Sequence, residues 1–317
     1  MPPAGSSSLD LKQGDQCASA SCVYVTNTGS KGGTSVAVFT TDANKNTRPV
    51  EVIAGSHTGL SNPSGIAVDP AGNIYVANLS NSSITIYTAG SNGNATPART
   101  IKGADTALSG PYGIALDLSG NIYVTNFNNS VTVYAANANG DAVPLQTISG
   151  PSTGLSAPFG IAVDSGGNIY VAQTQTSSIT VYPPASNGNV SPSRTIAGSN
   201  TGLRGPNGIS LDGTGDVYAA NSGNNTVTAY AAGANGNVAP TLTLEGETTL
   251  LSLPDGVVVD SQGDIWVADY QGFRSRGHGP PGYITVYDAA ASGNVEPSQQ
   301  VIGPNTRINL PFGIAFH

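Results

Sequence analysis

Short apolar runs alternate with polar turns along the whole chain, and the pattern recurs about every 48 residues. The repeat that begins at Gly65 reads Gly-Ile-Ala-Val-Asp, then Asn-Ile-Tyr-Val-Ala-Asn, then Ile-Thr-Ile-Tyr, then Thr-Ile. Short runs rich in Val, Ile, Thr and Tyr between Gly, Asn, Asp, Ser and Pro predict β-strands. Four strands in a repeat of about 40–50 residues are typical of a β-propeller blade.

The two ends of the chain set the number of blades. The first unit starts at its second run, near Cys22, whereas Gly313–Phe316 is an opening run with no unit after it. Six opening runs match six second runs only if the two ends share one blade. We therefore predict an all-β, six-bladed propeller over residues 22–317, with four antiparallel strands per blade and a ring closed by the C-terminal strand in the N-terminal blade. Residues 1–21, rich in Pro, Gly and Ser, are expected to be a flexible lead-in.

Composition narrows the classes of function. The chain has 317 residues, 41 of them Gly, with 19 acidic against 11 basic side chains and a formal charge of −8. Nucleic-acid binding needs clustered Lys and Arg, so no nucleic-acid partner is expected. No run approaches the ~20 apolar residues of a transmembrane helix, so no transmembrane segment is expected either.

Cys17 and Cys22 are the only cysteines, and their spacing matches neither a Cys-x-x-Cys redox motif nor a zinc site. We predict a disulfide between them, which implies an oxidising compartment, extracellular or periplasmic. The alternative is a pair of free thiols.

The Pro-x-Gly-Ile-Ala-Val-Asp-x-x-Gly-Asn-Ile-Tyr-Val-Ala-Asn unit resembles the NHL repeat, from about Cys22 to Phe316. The resemblance implies a propeller but no single activity, because this fold carries binding platforms, lyases and hydrolases. In such propellers the loops that enter the first strand and leave the second strand of each blade open on one face, around the channel.

Two sets of residues are therefore expected around this channel mouth. The first precedes each opening glycine: Ser64, Tyr112, Phe159, Asn207, Asp255 and Phe312. The second ends each second strand: Asn27, Asn78, Asn126, Gln173, Asn221 and Asp269. Side-chain amides can bind water, a sugar or a hard cation, although capping of their own turns is the alternative.

One repeat carries an insertion of nine residues within Tyr270–Tyr283. It includes Arg274, Arg276 and His278, and insertions on repeat scaffolds commonly map to the binding face. We expect Tyr270 and the two arginines to contact ligand, and Asp255, Asp269 and His278 to be the candidate catalytic groups. A surface loop whose arginines pair with neighbouring acids is the alternative.

Leu253-Pro254-Asp255-Gly256 and the following strand are also similar to gluconolactonase-type lactonases. In that family, the residue at the position of Asp255 binds a divalent metal, and Asn207 matches a second ligand. The resemblance implies Ca²⁺ as a possible cofactor held by Asn207 and Asp255, but Ser64 stands where the family has a metal-binding Glu.

The hypothesis favoured by the sequence is a secreted NHL-type propeller that acts as a binding or scaffold module. Its ligand at the channel mouth is an unidentified protein, glycan or small molecule. One alternative is a metal-dependent lactonase, another hydrolase, or a lyase using Asp255 and Asn207. A second alternative is an extracellular structural subunit that assembles with itself.

Overall fold

The computed structural model describes residues 17, 21–29, 33–271 and 282–317. Within these residues, 24 strands form six four-stranded antiparallel sheets, and the innermost strands of successive sheets contact one another around a ring. The predicted six-bladed all-β propeller is confirmed. Most of the expected lead-in, residues 1–16 and 18–20, lies outside the described residues.

The strands follow the repeats in order. Blade 1 contains β1 (Cys22–Asn27), β2 (Ser35–Thr40), β3 (Glu51–Ile53) and, innermost, β24 (Pro311–Phe316). Blade 2 contains β4 (Pro63–Val68), β5 (Ile74–Asn78), β6 (Ser83–Tyr87) and β7 (Arg99–Ile101). Blade 3 contains β8 (Pro111–Leu116), β9 (Ile122–Asn126), β10 (Ser130–Tyr134) and β11 (Gln146–Ser149).

The remaining three blades have the same order, from the channel outward. Blade 4 contains β12 (Pro158–Val163), β13 (Ile169–Gln173), β14 (Ser178–Tyr182) and β15 (Arg194–Ile196). Blade 5 contains β16 (Pro206–Leu211), β17 (Val217–Asn221), β18 (Thr226–Tyr230) and β19 (Leu242–Leu244). Blade 6 contains β20 (Pro254–Val259), β21 (Ile265–Asp269), β22 (Tyr283–Tyr287) and β23 (Gln299–Val301), preceded by a 3₁₀ turn at Glu247–Thr249.

The C-terminal strand closes the ring as predicted. β24 pairs antiparallel with β1, and Val25 lies opposite Ile314 in the register. Phe316 packs edge-on against Trp266 of blade 6, with ring centroids 5.3 Å apart. The closing strand therefore joins the N-terminal blade by hydrogen bonds and the sixth blade by packing, and no inner edge is left unpaired between the two ends.

The glycine that opens each repeat is required by the packing of neighbouring inner strands. A Cβ atom on Gly160 would lie 2.5 Å from the carbonyl oxygen of Asn207 in the next blade, and the same clash recurs at the other five opening glycines. The inner strands approach one another too closely at this point for any side chain.

A register shift accompanies each opening glycine. In blade 4, Pro158 pairs with Gln173 but Ile161 pairs with Val171, so the strand bulges at Phe159 and Gly160. Comparable irregularities occur at the start of the innermost strand in the other five blades. A β-bulge redirects a side chain, and here it affects the residue that precedes each glycine.

The first turn of the repeat is held by an aspartate. Oδ1 of Asp69 accepts hydrogen bonds from the backbone N–H groups of Ala71 and Asn73, and Oδ2 accepts from the Asn73 amide and the Tyr75 hydroxyl. Burial raises the pKa of Asp69, but these hydrogen bonds outweigh it and lower the pKa overall. The same position holds Asp117, Asp164, Asp212 and Asp260.

The predicted disulfide is present between Cys17 and Cys22. Both cysteines are buried and pack with Tyr24, Val36 and Val38 in the core between the first two blades. No helix among the described residues is long and apolar enough to cross a membrane.

Candidate functional site

The residues that precede the opening glycines line a pocket at the channel mouth, which we call the mouth pocket. Its cavity volume is about 70 Å³, and it is partly open to solvent. Five of the six predicted residues line it: Tyr112, Phe159, Asn207, Asp255 and Phe312. The bulge in each inner strand brings these side chains together, although they are about one repeat apart in sequence.

Three aromatic rings form one side of the mouth pocket. The ring centroids of Tyr112 and Phe159 are 4.0 Å apart, and Phe312 lies 5.7 Å from Tyr112 and 6.4 Å from Phe159. All three side chains are half-buried, so part of each ring faces solvent. Phe127, which is 66% exposed, stacks on Tyr112 at 6.3 Å and extends the aromatic surface outward.

A polar pair forms the other side. The amide nitrogen of Asn207 donates a hydrogen bond to Oδ1 of Asp255, and the amide oxygen of Asn207 accepts one from Thr174 at 3.3 Å. The same hydroxyl donates at the shorter distance of 2.8 Å to the carbonyl oxygen of Pro206, so Thr174 orients Asn207 only in part.

Asp255 is the acidic group of the pocket. Its side chain is only 8% exposed, and burial raises its pKa to about 7 despite the hydrogen bond from Asn207. Burial also raises the pKa of Tyr112, and the charges of Asp255 and Tyr270 raise it further. The carboxyl group can thus gain or lose a proton near neutral pH, which is the property of a general acid or base and of a switchable ligand contact.

A second hollow adjoins the mouth pocket and shares Tyr112, Asp255 and Phe312 with it. We call it the side hollow. Its cavity volume is about 180 Å³, and its other lining residues are Thr28, Asn62, Ser64, Leu79 and Tyr270. Ser64, the sixth predicted residue, is buried here and donates hydrogen bonds to the carbonyl oxygens of Ala77 and Pro111. Tyr270 lies at this face, as expected from the sequence.

The second predicted set does not face the mouth, and this expectation was wrong. The side chains of Asn27, Asn78, Asn126, Gln173 and Asn221 are completely buried within their blades. Asn78 shows the arrangement: its oxygen accepts from the backbone N–H of Ser61 at 3.0 Å, and its nitrogen donates to Thr85 at 3.1 Å. These amides hold the loop that enters each blade, which leaves none of them free for a ligand.

In five of the six blades, the residue that follows this buried position is the one at the mouth. Thr28 and Leu79 line the side hollow, Phe127 stacks on Tyr112, Thr174 bonds to Asn207, and Tyr270 follows Asp269. Successive side chains of a strand point to opposite sides. A prediction that is wrong by one position therefore names the buried residue in place of the one at the mouth. Sequence inspection missed Thr28, Leu79, Phe127 and Thr174, and the large apolar residues just outside their strands, Leu79 and Phe127, were the available signal.

Asp269 also belongs to the buried set. It is fully buried, accepts a backbone hydrogen bond from Ser252 at 2.8 Å and contacts the Thr285 hydroxyl at 2.9 Å. Burial raises its pKa well above the usual value, with a further increase from the charge of Asp255. A protonated carboxyl group has the hydrogen-bonding pattern of the amides in the other blades. The structure therefore gives Asp269 a structural place instead of the predicted catalytic one at the mouth.

The three basic residues of the insertion, Arg274, Arg276 and His278, lie outside the described residues. The other two histidines are exposed and lie elsewhere: His57 contacts Asn94, and His317 contacts the backbone of Pro70. In the described part of the chain, no histidine lines either hollow.

The mouth does not fit the calcium site that the lactonase resemblance implies. Ca²⁺ takes six to eight oxygen ligands, but Asn207 turns its nitrogen toward Asp255 and Ser64 replaces the third ligand. Among the described residues, no three His, Cys, Asp or Glu side chains gather into a possible metal site. Aromatic rings occupy the other three positions around the pocket.

Comparison with known proteins agrees with the repeat and the fold. A family model described as "NHL repeat" matches residues 60–87. Part of blade 2 is therefore similar to the NHL repeat, and the chain as a whole is a six-bladed β-propeller. A second model, described as "SMP-30/Gluconolactonase/LRE-like region", matches residues 188–296 of the propeller, which include Asn207 and Asp255. A search of curated protein sequences finds no match to this chain.

Solved structures share the propeller fold at low sequence identity. A chain in the crystal structure of a nidogen/laminin complex is 19% identical, with a TM-score of 0.63 over 94% of this chain and 98% of that one. A protein from Bacteroides caccae is 14% identical, with a TM-score of 0.68 over 94% and 99%. Virginiamycin B lyase from Staphylococcus aureus is 18% identical, with a TM-score of 0.51 over 77% and 76%. These identities establish similarity of fold alone.

Proposed function

We propose that this propeller is a binding module of an oxidising compartment and that the channel mouth is its ligand site. The observation that carries the proposal is the half-exposed aromatic cluster of Tyr112, Phe159 and Phe312 beside the buried Asn207–Asp255 pair. Concave apolar surfaces with a few converging polar groups are the usual form of ligand sites. The disulfide supports the compartment, because such bonds persist mainly outside the reducing cytosol.

The structural role of the repeat does not account for these rings. The opening glycines, the buried amides and the turn aspartates recur in nearly every blade and hold the propeller together. The residues before the glycines, by contrast, differ from blade to blade, and the large rings leave part of their surface in water. Exposed apolar surface of this kind is a cost for a soluble fold unless a ligand covers it.

The test is a ligand screen that compares the native chain with a variant whose mouth pocket is filled by a large side chain. Ligand-observed NMR with mixed sets of glycans, short peptides and small organic compounds would compare the native chain with Asn207→Trp, in which an indole fills the pocket. Ser165→Trp, in an exposed turn on the opposite face, is the matched control. We expect the screen to find compounds that bind the native chain. Their affinity should fall at least ~10-fold in Asn207→Trp and should be unchanged in Ser165→Trp. Absence of any ligand sensitive to the blocked mouth would refute the proposal.

Hydrolysis is the second candidate, and one observation favours it. The pKa of Asp255, raised by burial to about 7, suits a general base, and the match to the gluconolactonase-like region covers this residue. The assay is lactone turnover with and without added Ca²⁺, in the native chain and in Asp255→Asn. Lactone turnover by the native chain that is lost in Asp255→Asn would show that the mouth is a hydrolytic site, and hydrolysis would then replace the binding proposal. Self-assembly is checked separately by size-exclusion chromatography.

A further inference from the structure

The charges of the residues that line the mouth pocket indicate the charge of its ligand, which the proposed function does not specify. Its aromatic rings and its acidic group line one small space, and Asp255 lines both the mouth pocket and the side hollow. Among the described residues that line the two hollows, none is Lys, Arg or His. Asp255 is the one acidic side chain among them.

Aromatic rings and a carboxylate attract the same kind of group. The face of an aromatic ring is electronegative and attracts an ammonium or guanidinium group within about 6 Å, worth about 0.5–2 kcal/mol for each favourable contact. A carboxylate adds direct charge attraction, which grows as water is excluded from the space between the two charges. An anionic group would meet repulsion from both walls.

The hydrogen bonds of the pocket leave room for such a contact. Asn207 donates to Oδ1 of Asp255, and no described residue donates to Oδ2. Tyr112 and Phe312 line both hollows together with Asp255. The formal charge of −8 on the whole chain favours the encounter with a cation at long range.

We propose that the channel mouth binds an organic ammonium group, which lies between the carboxylate of Asp255 and the faces of Tyr112, Phe159 and Phe312. This inference rests on the proposed function, because it names the ligand class of the same site. It accounts for an otherwise costly combination, a buried acid with a raised pKa beside open aromatic rings. An incoming cation supplies a counter-charge that none of the described lining residues provides and lowers the pKa of Asp255, so binding releases a proton near neutral pH.

Three probes of similar shape and different charge test the ligand class. Choline is cationic, 3,3-dimethylbutan-1-ol is its neutral counterpart, and 3,3-dimethylbutanoate is anionic. Dissociation constants measured by calorimetry or NMR titration at about pH 8 should favour choline about tenfold or more over the neutral alcohol. The anion should bind weakest of the three.

Variants identify the groups responsible. Asp255→Asn keeps the shape of the side chain and should reduce the preference for choline about three- to tenfold, leaving the part that the rings supply. Asp105→Asn is the control, because it removes the same charge from an exposed loop that does not line the pocket. Phe159→Leu keeps apolar volume but removes the ring, and it should weaken choline by about three- to tenfold more than it weakens the alcohol. Nα-acetyl-Nε-trimethyllysine amide, measured in parallel, distinguishes a protein side chain from a small metabolite as the source of the ammonium group.

The outcomes separate the two proposals. Equal affinity for choline and the alcohol, or a preference for choline that is undiminished in Asp255→Asn, overturns the ammonium inference. If choline does not bind but a neutral or anionic compound binds at the mouth, the inference fails and the binding module stands. A preference for the anion that disappears in Arg274→Ala/Arg276→Ala would assign recognition to the insertion. If no compound of any charge binds the native chain more tightly than it binds the blocked-mouth variant Asn207→Trp, both proposals fail.

Discussion

Asn207 and Asp255 occupy the same position in neighbouring blades, 48 residues apart, and the amide nitrogen of Asn207 donates a hydrogen bond to Oδ1 of Asp255. The pair forms because both residues precede an opening glycine, at a bulge in the inner strand. Burial nevertheless raises the pKa of Asp255 to about 7. The pair is therefore polar and ordered, and its charge depends on pH in the physiological range.

Asp255 should make the stability of the propeller depend on pH. Its pKa is raised relative to an unfolded chain, so its contribution to stability is fully present below about pH 4 and is lost as the pH rises through about 7. The loss is on the order of 4 kcal/mol for a shift of this size. Asp255→Asn should remove this part of the dependence, so its stability relative to the native chain rises between about pH 4 and pH 8.

Urea unfolding of both proteins across this range measures the effect. Among the described residues, burial and the charge of Asp255 raise the pKa of Tyr112 and Asp269, and both residues are retained in the two proteins that are compared. A difference in stability that does not change with pH would contradict the raised pKa.

Asp269 should tolerate an amide but not an apolar side chain. Asp269→Asn restores the group found at the same position in four other blades, with bonds to Ser252 and Thr285. It should be at least as stable as the native chain at neutral pH, because the raised pKa of Asp269 marks a charge that is costly to bury. Asp269→Leu leaves two buried groups unpaired and should cost about 1–3 kcal/mol for each.

Thermal and urea unfolding check both variants. The advantage of Asp269→Asn should shrink at acidic pH, where the native carboxyl group is protonated and neutral. Destabilisation by the amide at neutral pH would show instead that the buried group is needed as a carboxylate.

The opening glycines should be intolerant of even one methyl group. In Gly160→Ala the new Cβ would lie 2.5 Å from the Asn207 carbonyl oxygen, so the inner strands of two blades would have to separate. We expect a cost of about 3 kcal/mol or more. Gly213→Ala is the control, because a Cβ atom on Gly213 would meet no other atom within 4 Å and the backbone there has no positive φ. That change should be neutral or slightly stabilising, as measured by urea unfolding.

Closure of the ring should depend on the last strand. Truncation after Leu310 removes β24 and leaves β1 with an unpaired inner edge. We expect the truncated chain to lose cooperative thermal unfolding, and a synthetic peptide of residues 311–317 to restore it. Deletion of His317 alone, which is exposed, should have little effect. Cooperative unfolding of the truncated chain without the peptide would contradict the shared blade.

The disulfide should contribute modestly to stability. The bond closes a loop of only five residues in sequence separation, so its entropic contribution is about 2 kcal/mol. Cys17→Ala/Cys22→Ala should therefore unfold at lower urea than the native chain. A reducing agent should shift the native chain toward this variant and leave the variant unchanged. Equal stability of all four samples would show that the bond does not constrain the unfolded chain.

Several features of the fold were determined by sequence alone. The repeat of Gly-Ile-Ala-Val-Asp and Asn-Ile-Tyr-Val-Ala-Asn, together with the orphan strand at Gly313–Phe316, predicts six blades and their closure. The turn aspartates and the disulfide were also predictable, because their partners lie within six residues along the chain. Local hydrogen bonds and alternation of apolar residues are properties of short segments, so they can be recognised without the fold.

The tertiary structure decided which side chains reach the mouth. Asn78 and its equivalents were expected there but are buried, because alternation along the second strand places the next residue, not the amide, on that side. The partnership of Asn207 with Asp255 and the clustering of Tyr112 with Phe312 depend on the curvature of the ring and on bulges at each inner strand. Contacts between residues 48 or more positions apart arise from packing between blades, and no local pattern in the chain records their distances.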